Sequence, residues 1–149
     1  MKNKLWIFLT VAALITGSMI FISCSTDGGK EPWTVSQLME PSELAAILNN
    51  PKAEKPLIYS VGFEADIKGS YDMGPVKDDD KLQKFKDAVS KLPRNAKIVI
   101  YCGCCPFEHC PNIRPAFKVL SDLGFTNRKL LNLSHNLRVD WLAKGYPVN

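Results

Sequence analysis

The feature that most restricts the fold is a short apolar run that leads directly into a group of cysteines. Residues 97–101 read Lys-Ile-Val-Ile-Tyr, and Cys102 follows at once. A continuous β-branched run of this length is typical of a strand that is buried on both faces of a parallel sheet. Ligand sites of such sheets lie beyond the carboxyl ends of the strands. The sequence therefore predicts an α/β protein with a functional loop that begins at Cys102.

Helical and strand-like patterns alternate along the rest of the chain. The clearest helical pattern is formed by Leu82, Phe85, Val89 and Leu92, and Pro93 ends it. We predict helices near residues 41–48, 78–92, 112–123 and 136–144, strands over 57–61, 97–101 and 130–133, and a loop with at most one short strand over 63–77. This alternation with short connections predicts an α/β domain with a mainly parallel central sheet flanked by helices.

Length, composition and net charge indicate one globular domain and do not predict a nucleic-acid partner. The chain has 149 residues, of which 46% are hydrophobic and 23% charged, as expected for one globular domain. The net charge is +4, and only +2 when the first 23 residues are set aside, because 17 basic then face 15 acidic residues. So small an excess of positive charge does not predict a nucleic-acid partner.

The first residues are typical of an export signal. Lys2 and Lys4 precede a largely apolar stretch over residues 5–22, and Cys24 follows after Phe-Ile-Ser. The residues around Cys24 resemble a bacterial lipobox, which implies cleavage before Cys24 and lipidation of its thiol. An uncleaved membrane anchor is the alternative, because 18 residues come close to the shortest stretch that spans a bilayer.

These features divide the chain into three parts. We expect a lipoprotein signal peptide over residues 1–23, a polar tether over residues 24–35 and one folded domain over residues 36–149. Acyl chains on Cys24 anchor such a domain at a membrane surface. The expected location is therefore outside the cytoplasm, in the periplasm or cell envelope.

Four of the five cysteines fall within nine residues. They are Cys102, Cys104, Cys105 and Cys110, and the helix predicted from about Asn112 follows them. The start of a helix presents unpaired backbone N–H groups and the positive end of a dipole, both of which lower the pKa of a nearby thiol. We therefore expect a thiol of this loop to be a nucleophilic thiolate near neutral pH. Arg114 adds a fixed positive charge that could hold an anionic substrate.

At this point the chain resembles the rhodanese family of sulfurtransferases, over roughly residues 36–149. Several pieces occur in the order of that family: Pro56–Val61 as the first central strand, Ile67–Ser70 as a glycine turn, Ile98–Cys102 as the strand that delivers the nucleophile, Arg114–Leu120 with Gly124-Phe125 as the following helix, and Trp141 with Lys144–Val148 as the closing segment. The resemblance implies a three-layer α/β domain.

The chain departs from the family pattern at three places. The strand that ends in Asp-Val-Arg in the family reads Ser60-Val61-Gly62 here, and the glycine pair before the final tryptophan is replaced around Ser134-His135-Asn136. Cys102 and Arg114 are separated by eleven residues instead of four. Counting back from Gly124-Phe125 places the family's arginine at Asn112 rather than at Arg114.

The resemblance implies sulfur transfer through a persulfide on Cys102. The sulfur comes from a small donor, such as thiosulfate or another persulfide, and leaves on a thiol acceptor. Cys104, Cys105 and Cys110 are accessory thiols that receive the sulfur or resolve the persulfide. No cofactor is implied, and we expect a monomer.

Two other interpretations use the same cysteines. Cys102, Cys104, Cys105 and Cys110 together offer the thiolates of a zinc or copper(I) site. Alternatively, Cys102 and Cys105 form the C-x-x-C pair of a thiol–disulfide oxidoreductase, which cycles readily in an oxidising compartment.

Overall fold

The structure of the chain, a computed structural model, describes residues 31–149. The expected signal peptide and Cys24 lie outside the described residues. Within residues 31–149 no helix is long and apolar enough to cross a membrane. The strands are β1 (Leu38–Met39), β2 (Leu57–Ser60), β3 (Ser70–Asp72), β4 (Ile98–Tyr101) and β5 (Arg128–Leu131). The helices are α1 (Pro41–Asn49), α2 (Asp79–Ser90), α3 (Ile113–Asp122) and α4 (Leu137–Asp140), with short 3-10 turns at Val35–Gln37, Phe107–His109 and Leu142–Lys144.

The five strands form one sheet in the order β1-β5-β4-β2-β3, and all neighbouring pairs are parallel. Strand β4 lies at the centre, and all four of its residues are buried, as the β-branched run predicts. Its residues pair with β2 on one side and with β5 on the other, so that Cys102 emerges at the middle of the carboxyl edge of the sheet.

Helices cover both faces of the sheet. Helices α2 and α3 pack on one face through side chains that include Phe85, Val89, Phe117 and Leu120. Helices α1 and α4 pack on the other face, together with Trp141, which is fully buried. The predicted three-layer α/β architecture with a parallel central sheet is thus confirmed.

The last predicted helix is interrupted. Helix α4 ends at Asp140, and the backbone of Trp141 leaves the helical region before the 3-10 turn Leu142–Lys144. The reason lies in the burial of Trp141, whose Nε1 donates a hydrogen bond to the carbonyl of Pro147 at 3.0 Å and whose ring contacts Tyr146. These contacts draw the chain end back onto the domain.

The residues just before the first strand are attached to the domain. Trp33 lies within the segment expected to be a tether, yet it is only 8% exposed and its ring contacts the rings of Phe107 and Phe117 at 5.9 and 5.8 Å. A capping box between Thr34 and Gln37 fixes the turn that follows. Trp33 therefore joins the start of the described chain to the cysteine loop and to α3.

We predict that Trp33→Ala lowers the free energy of unfolding by about 3 to 5 kcal/mol, because it removes a large buried aromatic side chain. The measurement is urea denaturation. Val35→Ala is the matched control, since Val35 is 86% exposed and its loss should change stability by less than about 0.5 kcal/mol. Equal stability of the two variants would contradict the packing of Trp33.

Candidate functional site

The cysteine loop, residues 102–110, joins the end of β4 to the start of α3. Two backbone hydrogen bonds fasten it to the rest of the fold: Leu137 N–H donates to the carbonyl of Gly103 at 2.9 Å, and Phe107 N–H donates to the carbonyl of Leu133 at 3.1 Å. Phe107 is also buried against Trp33. The loop is therefore held at both its beginning and its middle, and its cysteines occupy defined positions.

Three of the thiols converge on one point. The Sγ atoms of Cys102, Cys104 and Cys110 all lie within 4.8 Å of one another, and those of Cys102 and Cys104 are 3.4 Å apart. We call these three residues the thiol cluster. Cys105 lies outside the cluster, with its Sγ 3.3 Å from that of Cys104. All four cysteines are free thiols.

The cluster has a buried and an exposed part. Cys102 and Cys110 are 1% and 0% exposed, whereas Cys104 is exposed. Cys104 is thus the thiol of the cluster that meets solvent, and its sulfur lies in contact with that of Cys102. A reagent that approaches from outside reaches Cys104 first.

The side-chain amide of Asn112 connects the two buried thiols. Its Nδ2 lies 3.6 Å from Cys102 Sγ and 3.8 Å from Cys110 Sγ, and its Oδ1 accepts a hydrogen bond from the backbone N–H of Lys77 at 2.9 Å. Asn112 stands at the start of α3, where asparagine usually caps the helix, but its side chain makes no capping bond. Asn112, at which counting back from Gly124-Phe125 places the arginine of the rhodanese pattern, is therefore part of this site.

The pKa values of Cys102 and Cys110 are shifted in opposite directions. The hydrogen bond from Cys102 lowers the pKa of Cys110 to about 6, and the backbone N–H groups of Asn112 and Ile113 act in the same direction. The hydrogen bond with Cys110 and burial together raise the pKa of Cys102 well above its usual value. The start of α3 predicts a thiol of lowered pKa in this loop, and Cys110 is that thiol. The resemblance implies a thiolate at Cys102, whose pKa is raised instead.

Cys105 does not pair with Cys102 in the way a C-x-x-C motif would require. Cys102 contacts Cys104, and Cys105 contacts Cys104 from the other side. Burial raises the pKa of Cys105 to about 12, and its hydrogen bond with Cys104 adds to the shift. Cys105 is therefore a protonated neighbour of the cluster.

Two glycines make room for the site. A Cβ atom at Gly62 would come within 2.6 Å of Cys102 Sγ, which no ordinary contact allows. At Gly103 a Cβ atom would come within 2.8 Å of Glu64 Oε2 and 3.0 Å of Leu137 Cβ. The absence of a side chain at Gly62 therefore leaves the space that the Cys102 sulfur occupies.

Arg114 is engaged by other groups. Its guanidinium donates to the carboxylate of Glu31 at 2.6 Å and to the carbonyl of Glu108 at 2.8 Å, and it lies over the ring of Trp33 at 5.5 Å. These contacts place Arg114 at the junction between α3 and the start of the described chain. Its role towards an anionic substrate stays a prediction.

Comparison with known proteins gives a likeness in fold alone. No family model matches the sequence, and no curated protein matches it significantly. Among solved structures, a single and a double cysteine-substituted form of EanB, each in complex with hercynine, resemble it with a TM-score of 0.51 and 19% identity. The match covers 76% of this chain and only 27% of the EanB chain. It supports the three-layer α/β fold.

We predict that Gly62→Ala lowers the free energy of unfolding by about 1 to 3 kcal/mol, because the added methyl group collides with the sulfur of Cys102. In a Cys102→Ala background the same change should cost much less, since the colliding atom is gone. Urea denaturation of the four proteins in this double-mutant cycle measures the difference. An equal cost in both backgrounds would show that Gly62 does not pack on Cys102.

We also predict one thiolate that forms at unusually low pH. In the reduced, metal-free protein, ultraviolet absorbance of the thiolate should rise with a midpoint near pH 6, the pKa to which Cys110 is lowered. Cys110→Ser should abolish this rise. Cys105→Ala should keep the rise but move its midpoint to higher pH, because it removes a hydrogen bond that also lowers the pKa of Cys110. The assignment fails if Cys110→Ser leaves the rise in place, or if no thiolate forms below the ordinary cysteine range near pH 8.5.

Proposed function

We propose that this chain is an exported, lipid-anchored sulfurtransferase that carries sulfur as a persulfide on Cys102. The observation that carries the proposal is the position of Cys102. It follows the central strand β4 at the carboxyl edge of the sheet, where the backbone N–H of Cys104 points at its sulfur and a second thiol lies 3.4 Å away. Sites of parallel α/β sheets occur at this edge.

The first half-reaction takes sulfur from a small donor. With thiosulfate, the Cys102 sulfur attacks the outer sulfur, the S–S bond of the donor breaks, and sulfite leaves with the bonding electrons. The proton of Cys102 passes to Cys110, whose Sγ lies within 4.8 Å of Cys102 Sγ. Because Cys102 is only 1% exposed, the exposed side chain of Cys104 must turn aside to admit the donor.

The second half-reaction returns the enzyme to its starting state. A thiolate of the acceptor attacks the outer sulfur of the Cys102 persulfide, the S–S bond breaks, and the Cys102 thiolate leaves and takes back the proton held by Cys110. The acceptor departs as a persulfide, with no net oxidation of the protein. Cys104, at 3.4 Å, is the thiol of the protein best placed to take over this sulfur.

The proposed location rests on the sequence. The basic start, the apolar stretch over residues 5–22 and Cys24 together favour an exported lipoprotein. Acylation of Cys24 would hold the domain at a membrane surface, where it meets sulfur compounds outside the cytoplasm.

The test is a thiosulfate–cyanide sulfurtransferase assay together with intact mass spectrometry after exposure to thiosulfate. We expect the wild-type protein to gain the mass of one sulfur atom and to form thiocyanate. Cys102→Ser should lose both signals, Cys110→Ser should keep a measurable fraction of activity, and Cys105→Ser should behave like the wild type.

Two results would overturn the proposal. One is a Cys102→Ser variant that keeps full activity and still gains sulfur. The other is a wild-type protein that, although reduced and folded, gains no sulfur from thiosulfate or from a low-molecular-weight persulfide.

A further inference from the structure

We propose that the thiol cluster of Cys102, Cys104 and Cys110 is a binding site for one copper(I) ion, held by three thiolate sulfurs. This goes beyond sulfur transfer, because it needs no donor and no turnover. It rests on the convergence of three side chains from separate parts of the cysteine loop.

The distances fit a metal site. Metal–thiolate bonds of about 2.3 Å place the sulfurs of a shared ion about 4 Å apart. The three Sγ atoms already lie within 4.8 Å of one another, and the shortest separation is 3.4 Å. Small side-chain rotations therefore bring all three sulfurs to bonding distance of one ion.

Rigid elements hold two of the three ligands. Cys102 continues from the central strand β4, and Cys110 lies just before α3. Asn112 Nδ2 approaches both of their sulfurs, and the backbone N–H of Lys77 holds its amide oxygen. Such hydrogen bonds around the ligands orient them and offset the negative charge of the thiolates. Cys104 is exposed and can close over an ion that enters from solvent.

The ligand set favours copper(I) over zinc. Thiolates select soft ions, whereas zinc in structural sites takes four ligands in a tetrahedron. Within residues 31–149, the group of potential metal ligands at this point contains three cysteines and no histidine or carboxylate. Cys105 lies outside the group. Three sulfurs, two of them fully buried, suit an ion of low coordination number.

Copper binding and sulfur transfer compete for the same atom. On binding, the thiols release their protons to solvent and Cys102 becomes a ligand, so it can no longer attack a sulfur donor. The copper-loaded protein should therefore fail to gain sulfur from thiosulfate, and removal of the ion by a strong chelator should restore the reaction.

The test is titration of the reduced, full-length protein with copper(I) in the absence of oxygen, against a chromophoric copper(I) chelator. We expect one ion per chain, and X-ray absorption should count three sulfur ligands. Cys104→Ser should weaken binding at least about a hundredfold, while Cys105→Ser, the matched control, should change it less than about threefold. Both substitutions leave Cys102 and Asn112 intact, and circular dichroism verifies their folding.

Three results would overturn the inference: no copper retained against the chelator, equal effects of Cys104→Ser and Cys105→Ser, or preferential binding of zinc through four sulfurs. The binding assay contains no sulfur donor, so a failure of sulfur transfer does not affect its outcome. Conversely, loss of copper binding with normal persulfide formation would refute this inference and leave the proposed function standing.

Discussion

The amide side chain of Asn112 is the contact on which the site depends. It approaches the sulfur that follows β4 and the sulfur that precedes α3, and the backbone N–H of Lys77 fixes its orientation. Strand β4 and helix α3 bring the two ends of the cysteine loop near each other, and Asn112 is the side chain that contacts both buried sulfurs. Because its side chain makes these contacts, Asn112 does not cap the start of α3. The contacts with the two thiols take the place of the modest stabilisation that a side-chain cap would give the helix.

Burial gives the thiols their particular chemistry. Cys102 and Cys110 lie in the core with their sulfurs within 4.8 Å of each other, and this proximity raises the pKa of Cys102 and lowers that of Cys110. Access from solvent runs through Cys104. A buried nucleophile beneath an exposed thiol suits the transfer of single sulfur atoms, and the same three sulfurs suit a soft ion. Both uses require the cluster to form, and they exclude each other at any one time.

The sequence predicts the central strand and the helices better than it predicts the arrangement of the functional site. The β-branched run before Cys102 identifies the central strand, because a strand buried on both faces needs such residues. Strand β1 has two residues and β3 is largely exposed, so neither produces a recognisable hydrophobic pattern. Counting back from Gly124-Phe125 singles out Asn112, but its contacts could not be predicted, because Lys77 is distant in sequence and the positions of the sulfurs arise from the loop conformation. The helix start predicts a thiol of lowered pKa in the loop, but only the folded loop shows that the α3 amides reach Cys110 rather than Cys102.

The central claim is that Cys102, Cys104 and Cys110 meet at one point, and trivalent arsenic tests it most directly, because arsenite can bond to three thiols at once. After treatment of the reduced protein with arsenite, intact mass should show one arsenic atom per chain with three thiol protons lost. Alkylation and peptide mapping should then find Cys105 modified and Cys102, Cys104 and Cys110 protected. An arsenic atom held by two thiols, or protection of Cys105 in place of Cys110, would contradict the account.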